Sequence, residues 1–257
     1  MAVSRTTTKV VLTGLLCALG VAILCSLGTW QLERLAWKQG LIDMVGERIE
    51  QPAEPLPPES EWPSLTFAGD EYRKVTLTGR FDHAHEVPAF TSLEDARFDV
   101  SGPGYWILTP LEMPDGATVI VNRGFVPDER RDPATRSDGQ VTGEVTVTGL
   151  IRMPETGNLF TPDPDPARAQ WYVRDPALIA EAFGLERVAP FFIDADATPN
   201  PGGLPVGGTT RVAFRNDHLG YALTWYGLAL ALAGVYAVWA FGQLKRRGAL
   251  ADGADRQ

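Results

Sequence analysis

The sequence predicts an α+β membrane protein in which two transmembrane helices flank a mainly antiparallel β domain outside the cytoplasm, with strand spacing compatible with a small open barrel. Three observations carry this expectation. Two uncharged apolar runs, Val10 to Trp30 and Tyr221 to Phe241, lie near the ends of the chain; the region between them is polar and acidic; and within that region apolar residues recur at period two. Each run is about 20 residues long, which suits an α-helix crossing a ~30 Å hydrocarbon core. The expected layout is a tail at residues 1–9, a span at 10–30, the outer domain at 31–217, a second span at 218–242 and a tail at 243–257.

Both tails should be cytoplasmic. Arg5 and Lys9 precede the first run, and Lys245-Arg246-Arg247 follow the second, the cation bias of an inner face. Arg34 and Lys38 flank the first run on its other side, but long loops translocate largely regardless of charge. A cleaved signal peptide is the rival reading of the first run. No A-x-A site follows it, and leucine precedes both Cys17 and Cys25, so retention is expected. Both cysteines then sit in the membrane, which leaves the outer domain without a disulfide or a Cys-based zinc or copper site. A net charge of −9 and the lack of a basic stripe exclude nucleic acid as a partner.

Along the chain, Leu41, Met44, Val45 and Ile49 mark a short helix over Trp37 to Glu50, and the proline- and glutamate-rich Gln51 to Pro63 reads as a linker. Val75, Leu77, Gly79 and Phe81 alternate with polar residues as in a half-buried strand. Tyr105 to Leu111 and Ala117 to Val126, apolar on both faces, enclose Met113-Pro114-Asp115-Gly116 and make a hairpin. Gly143 to Arg152 alternates again, Asp175-Pro176 to Gly184 has the cap, first-turn proline and closing glycine of a short helix, and Val188 to Asp194 is a further strand.

Chemistry-bearing residues are few. His83 and His85 stand two apart, so a strand would aim both at one face, yet no soft or imidazole ligands accompany them. No nucleophile elbow, P-loop or zinc-helix motif occurs, and no carboxylate pair stands out for acid–base work. His218 differs, because Tyr221 and Trp225 follow at i+3 and i+7 at the outer membrane edge, with Arg211 and Arg215 nearby. Such a set suits an amphipathic haem, with His218 on the iron and arginine on the propionates; a hydrogen-bonded interfacial anchor explains the same residues. Near the first run, Gln31, Arg34 and Lys38 share one helical spacing and Trp30, Arg34 and Trp37 another. Arg123 is expected to end a strand and to pair with a carboxylate.

Five segments together resemble the Surfeit locus protein one family of cytochrome c oxidase assembly factors. They are Leu27-Gly28-Thr29-Trp30-Gln31-Leu32-Glu33-Arg34; Gly102-Pro103-Gly104-Tyr105-Trp106 with Thr109-Pro110-Leu111; Val121-Asn122-Arg123-Gly124-Phe125-Val126-Pro127; Gln170-Trp171-Tyr172-Val173-Arg174-Asp175; and Asn216-Asp217-His218 through Gly227. Phe125 and Asp217 depart from the family's common tryptophan and asparagine. The resemblance implies a non-enzymatic factor for haem-copper oxidases that binds haem a and aids its insertion into oxidase subunit I, with haem a synthase as a further partner. It implies His218 as the axial ligand, and the interface reading adds Tyr221, Trp225 and Arg215 as expected cofactor contacts. It also implies a bacterial inner membrane with the central domain in the periplasm, or the mitochondrial inner membrane. A stabilising oxidase subunit that binds no haem is the alternative, and no sequence feature favours an enzyme.

Overall fold

The computed structural model describes residues 5–94, 100–209 and 216–254, and the side chains of 7–94, 100–209 and 216–246. The chain divides into two units, residues 1–43 with 213–257, and residues 44–212.

The first unit holds the two apolar helices. Helix α1 runs over Arg5–Glu50 without a break. It therefore absorbs the separate helix expected over Trp37 to Glu50. The reason is local: between Trp30 and Glu50 the chain is mostly Gln, Leu, Glu, Arg, Ala and Lys, all good helix formers, and the first proline arrives only at Pro52. Both α1 and the C-terminal helix, His218–Ala254, are long and apolar enough to cross a membrane, and their apolar windows are only 6% buried. Such exposed apolar surface is what lipid covers.

The second unit is a barrel. Its elements in order are β1 (Glu54–Pro55), α2 (Phe67–Asp70), β2 (Lys74–Phe81), β3 (Val87–Leu93), β4 (Gly102–Glu112), β5 (Thr118–Pro127), β6 (Glu144–Arg152), α3 (Pro176–Phe183) and β7 (Val188–Ala195), which makes the C-terminal helix α4. The strands run β1-β2-β6-β7-β5-β4-β3, and an additional β2–β4 pairing closes β2, β6, β7, β5 and β4 into a five-stranded ring. Four of the five pairings in the ring are antiparallel, and only β5–β7 is parallel. The order β6-β2-β4-β5 is a Greek key, the connectivity of small open barrels. Closure depends on Gly79: a Cβ there would lie 2.5 Å from the Glu112 carbonyl, next to the Arg80↔Glu112 and Phe81↔Leu111 pairs.

The predicted hairpin is β4–β5. Gly116, at φ +80°, donates its N–H to the Met113 carbonyl at 2.9 Å and turns the chain. Both faces of β5 are buried because they serve two cores. Val119 and Val121 pack inside the barrel with Val75, Leu77, Ile151 and Phe191, while Ile120 packs outside with Phe192, Trp171 and Ile179 of α3. Helix α3 is built as its sequence predicts: Asp175 caps it through Ala177 N–H, and Gly184 ends it in the left-handed region. Strand β3 escapes sequence reading because Pro88 interrupts its pattern. The structure tolerates that proline because β3 is an edge strand, hydrogen-bonded in the sheet to β4 alone.

A buried polar network locks the barrel. Asp194 on β7 is 1% exposed and accepts hydrogen bonds from Asn122 Nδ2 on β5 (2.7 Å), Arg152 Nη1 on β6 (2.6 Å) and Arg174 Nη1 before α3 (3.0 Å). Arg152 Nε also reaches Glu71 (2.8 Å), whose other oxygen accepts the Met153 N–H, and Arg174 pairs with Glu155. Burial works against both guanidinium charges, but Asp194 and the flanking carboxylates outweigh it and raise both above the usual arginine range. Asp194→Ala would remove the carboxylate that Arg152 and Arg174 share and leave them with Glu71 and Glu155 alone. It should cost roughly 3 to 5 kcal/mol, seen as a lower melting temperature of the purified protein, with Asp194→Asn milder because it keeps the shape and one acceptor.

Candidate functional site at the helix pair

The helix pair is joined along a stripe of small residues on α1. A Cβ on Gly28 would lie 2.8 Å from the Tyr226 ring, one on Gly20 would lie 3.0 Å from Leu232, and one on Gly14 would strike the Tyr236 hydroxyl. These positions repeat at six and eight residues, close to the heptad seam of two packed helices. Ala222 and Ala229 are the matching buried small residues of α4, at 1% and 5% exposure. Polar bonds follow the same seam. Tyr236 Oη donates to the Val10 carbonyl (2.9 Å), and Tyr226 Oη and Thr29 Oγ1 share a hydrogen bond of 3.0 Å.

At the upper end of this seam stands His218, the first residue of α4. Its Nδ1 lies 2.7 Å from Gln31 Oε1. An amide oxygen only accepts, so Nδ1 carries the proton and the neutral ring keeps its lone pair on Nε2. A hydrogen bond on one imidazole nitrogen that orients the other is the usual support of a metal-binding histidine. The donor set thus fits an iron ligand, and it equally fits the interfacial anchor. Of the other expected contacts, Trp225 is half-buried on the same helix and Tyr221 is 57% exposed, while Arg215 and Arg211 lie outside the described residues. Arg34 stacks over Trp37 at 4.7 Å on α1 itself.

The two motif segments that flank the membrane therefore meet through Gly28, Thr29 and Gln31 on one helix and His218 and Tyr226 on the other. Reading each helix alone singled out Gln31 only for its spacing with Arg34 and Lys38. Tyr226 carried no signal beyond its place in the motif.

His83 and His85 lie in a single 3-10 turn and not in a strand. Each has a structural partner: His83 Nε2 lies 2.8 Å from the Val141 carbonyl, and His85 Nδ1 lies 2.6 Å from Asp82. Among the described residues no group of three His, Cys, Asp or Glu side chains could hold a metal ion. Arg123 also differs from its expected place: it sits inside β5, 2% exposed, with Glu86 as its carboxylate at 3.7 Å.

The barrel and the helix pair define a class: a membrane protein with one small Greek-key domain borne by two apolar helices. Comparison with known proteins names it further. The model of the SURF1 family matches residues 18–230, and the chain belongs to that family. It is 39% identical over 215 residues to Surfeit locus protein 1 of Rattus norvegicus, covering 80% of this chain and 68% of the rat protein. It is also 39% identical to Surfeit locus protein 1 of Homo sapiens, across 80% of this chain and 70% of the human one. The SURF1-like protein of Drosophila melanogaster is 37% identical with the same coverage.

The seam yields a prediction. Gly28→Leu should drive Tyr226 off α1 and break the Thr29 bond, lowering both the amount of protein recovered in membranes and its melting temperature. Tyr226→Phe should cost much less, about 0.6 to 1.7 kcal/mol for one hydrogen bond between helices in a membrane.

Proposed function

We propose that the protein is a non-enzymatic assembly factor of haem-copper cytochrome c oxidase, which binds haem a at the helix pair and aids its delivery to oxidase subunit I. Membership of the SURF1 family supports this reading, through the resemblance of its five motifs to oxidase assembly factors. The observation that carries the haem role is the Gln31–His218 bond, which puts the ring proton on Nδ1 and so leaves a lone pair on Nε2. Haem, when bound, would supply an iron that takes an imidazole and a flat apolar face that suits Trp225. What the chain itself does is hold His218 in one tautomer, keep the aromatic side chains of α4 beside it, and confine the site to the membrane boundary. In this reading the barrel faces away from the cytoplasm, in the periplasm of a bacterium or the corresponding mitochondrial space, where it is placed to meet subunit I and haem a synthase.

The test is spectroscopic. Protein purified from haem a-producing cells should show a Soret band that His218→Ala removes while folding and membrane insertion survive, since alanine is a good helix residue. Gln31→Leu should weaken haem retention less than His218→Ala, because it frees the ring without deleting the ligand. Equal Soret absorbance per protein in wild type and His218→Ala would end the ligand role, and a colourless wild type that copurifies stoichiometrically with mature oxidase would favour an accessory subunit.

Orientation is tested separately. A reporter active only outside the cytoplasm should work when fused near Asp138 and fail when fused after Arg256. The opposite pattern would invert the topology.

A further inference from the structure

The two buried arginine clusters of the barrel are balanced very differently. Around Asp194, Arg152 and Arg174 share three carboxylates, those of Glu71, Glu155 and Asp194. Around Glu86, Arg123 and Arg136 share one among the described residues. Both oxygens of Glu86 are already engaged, by the Arg136 fork and by Gln140 Nε2 at 3.2 Å. Arg123 approaches that carboxylate only to 3.7 Å, which is an ion pair without a hydrogen bond. Its Nη2 donates to Gly139 O and to Asn200 Oδ1 (3.3 Å), and its face lies 4.7 Å from the Phe81 ring. Its Nε and Nη1 are buried and, among the described residues, have no hydrogen-bond acceptor. A buried cation in this state is costly, and burial lowers the Arg123 guanidinium to about 10, with Glu86 opposing the shift and Arg136 adding to it.

Arg123 also lines a pocket of about 230 Å3, together with Phe81, Thr148, Asp196, Thr198 and Asn200. A single water needs only ~10–15 Å3 of such space, so the pocket has room for a small molecule. Water there would leave the charge of the cluster in excess. An oxyanion would offset it, because a guanidinium offers paired donors to carboxylate or phosphate oxygens.

We propose that this pocket is a binding site for a small oxyanion, a phosphate- or carboxylate-bearing molecule whose charged oxygens are taken by Arg123 at the mouth of the Arg123–Glu86–Arg136 cluster. Asn200 accepts from Arg123 through Oδ1 and donates one amide N–H to the Pro205 carbonyl at 2.6 Å, which leaves its second N–H for the ligand. Asp196 is the one acidic wall residue; its Oδ1 accepts the Thr198 N–H at 2.9 Å, and its charge limits affinity. The site lies wholly within the barrel unit and does not depend on the haem reading.

The experiment uses the full-length protein in detergent, melted and titrated calorimetrically with inorganic phosphate and, separately, with succinate, against potassium chloride at matched ionic strength. At least one oxyanion should bind saturably, close to one per chain, and raise the melting temperature beyond the chloride control. A phosphate-only response assigns a phosphoryl ligand, and a succinate-only response assigns a carboxylate. Arg123→Met should abolish saturable binding. Asp196→Asn, which leaves the cluster intact, should tighten it several-fold, and it decides the matter if Arg123→Met fails to fold. The proposal is overturned if neither anion exceeds chloride, if folded Arg123→Met binds as wild type does, or if Asp196→Asn binds no more tightly.

Discussion

The barrel depends on one carboxylate. Asp194 lies where β5, β6 and β7 come together, and it takes hydrogen bonds from residues on β5 and β6 and from the segment leading into α3. A β5–β7 parallel pair cannot be joined by a tight turn, so β7 must be brought home from far along the chain, and its register needs a fixed point. The Asp194 network provides it. A buried charge is tolerable only if paired and fully hydrogen-bonded, and here each partner belongs to a different element. Its stability contribution is therefore tied to the correct topology: any slip of β7 by one residue would turn Asp194 away from both arginines.

Aromatic rings complete that arrangement. Arg152 lies 4.6 Å from Tyr72, and Arg174 lies 4.9 Å from Phe192 and 5.5 Å from Trp106, so the cations are covered by rings where they are not met by oxygens. Three of the motif segments converge here through Trp106, Asn122 and Arg174. Their role in this structure is architectural. The Arg123 cluster shares the same strand but not the same balance: two donors of Arg123 are buried without an acceptor among the described residues, and the residue lines a pocket.

In the membrane unit the governing physics is different. Lipid gives apolar helices no hydrophobic reason to pair, so close approach and interhelical hydrogen bonds must do so. Glycines at 14, 20 and 28 admit Tyr236, Leu232 and Tyr226, and the hydroxyls and the Gln31 amide then find partners across the seam. His218 inherits its orientation from this packing. Small residues on one helix thus decide how an imidazole on the other is presented.

The sequence alone determined the elements whose causes are local. Apolar length defined the two spanning helices, alternation defined β2 and β6, Met113 to Gly116 defined the hairpin, and Asp175 with Gly184 bounded α3. It also located His218 and, through the five motifs, the family. It could not join α1 into one helix through Trp37, because a polar stretch after a span reads as a boundary, nor find β3, whose proline is harmless only at an edge. It misplaced Arg123 at a strand end. Only the tertiary structure decided that the strands close into a ring at Gly79, that Asp194 gathers two arginines, that Gln31 holds His218, and that Arg123 meets Glu86 only at 3.7 Å. Each of those facts depends on residues far apart in the chain. Local propensity carries no information about which distant side chain will share a low-dielectric interior, where a single missing or added charge decides what the site can bind.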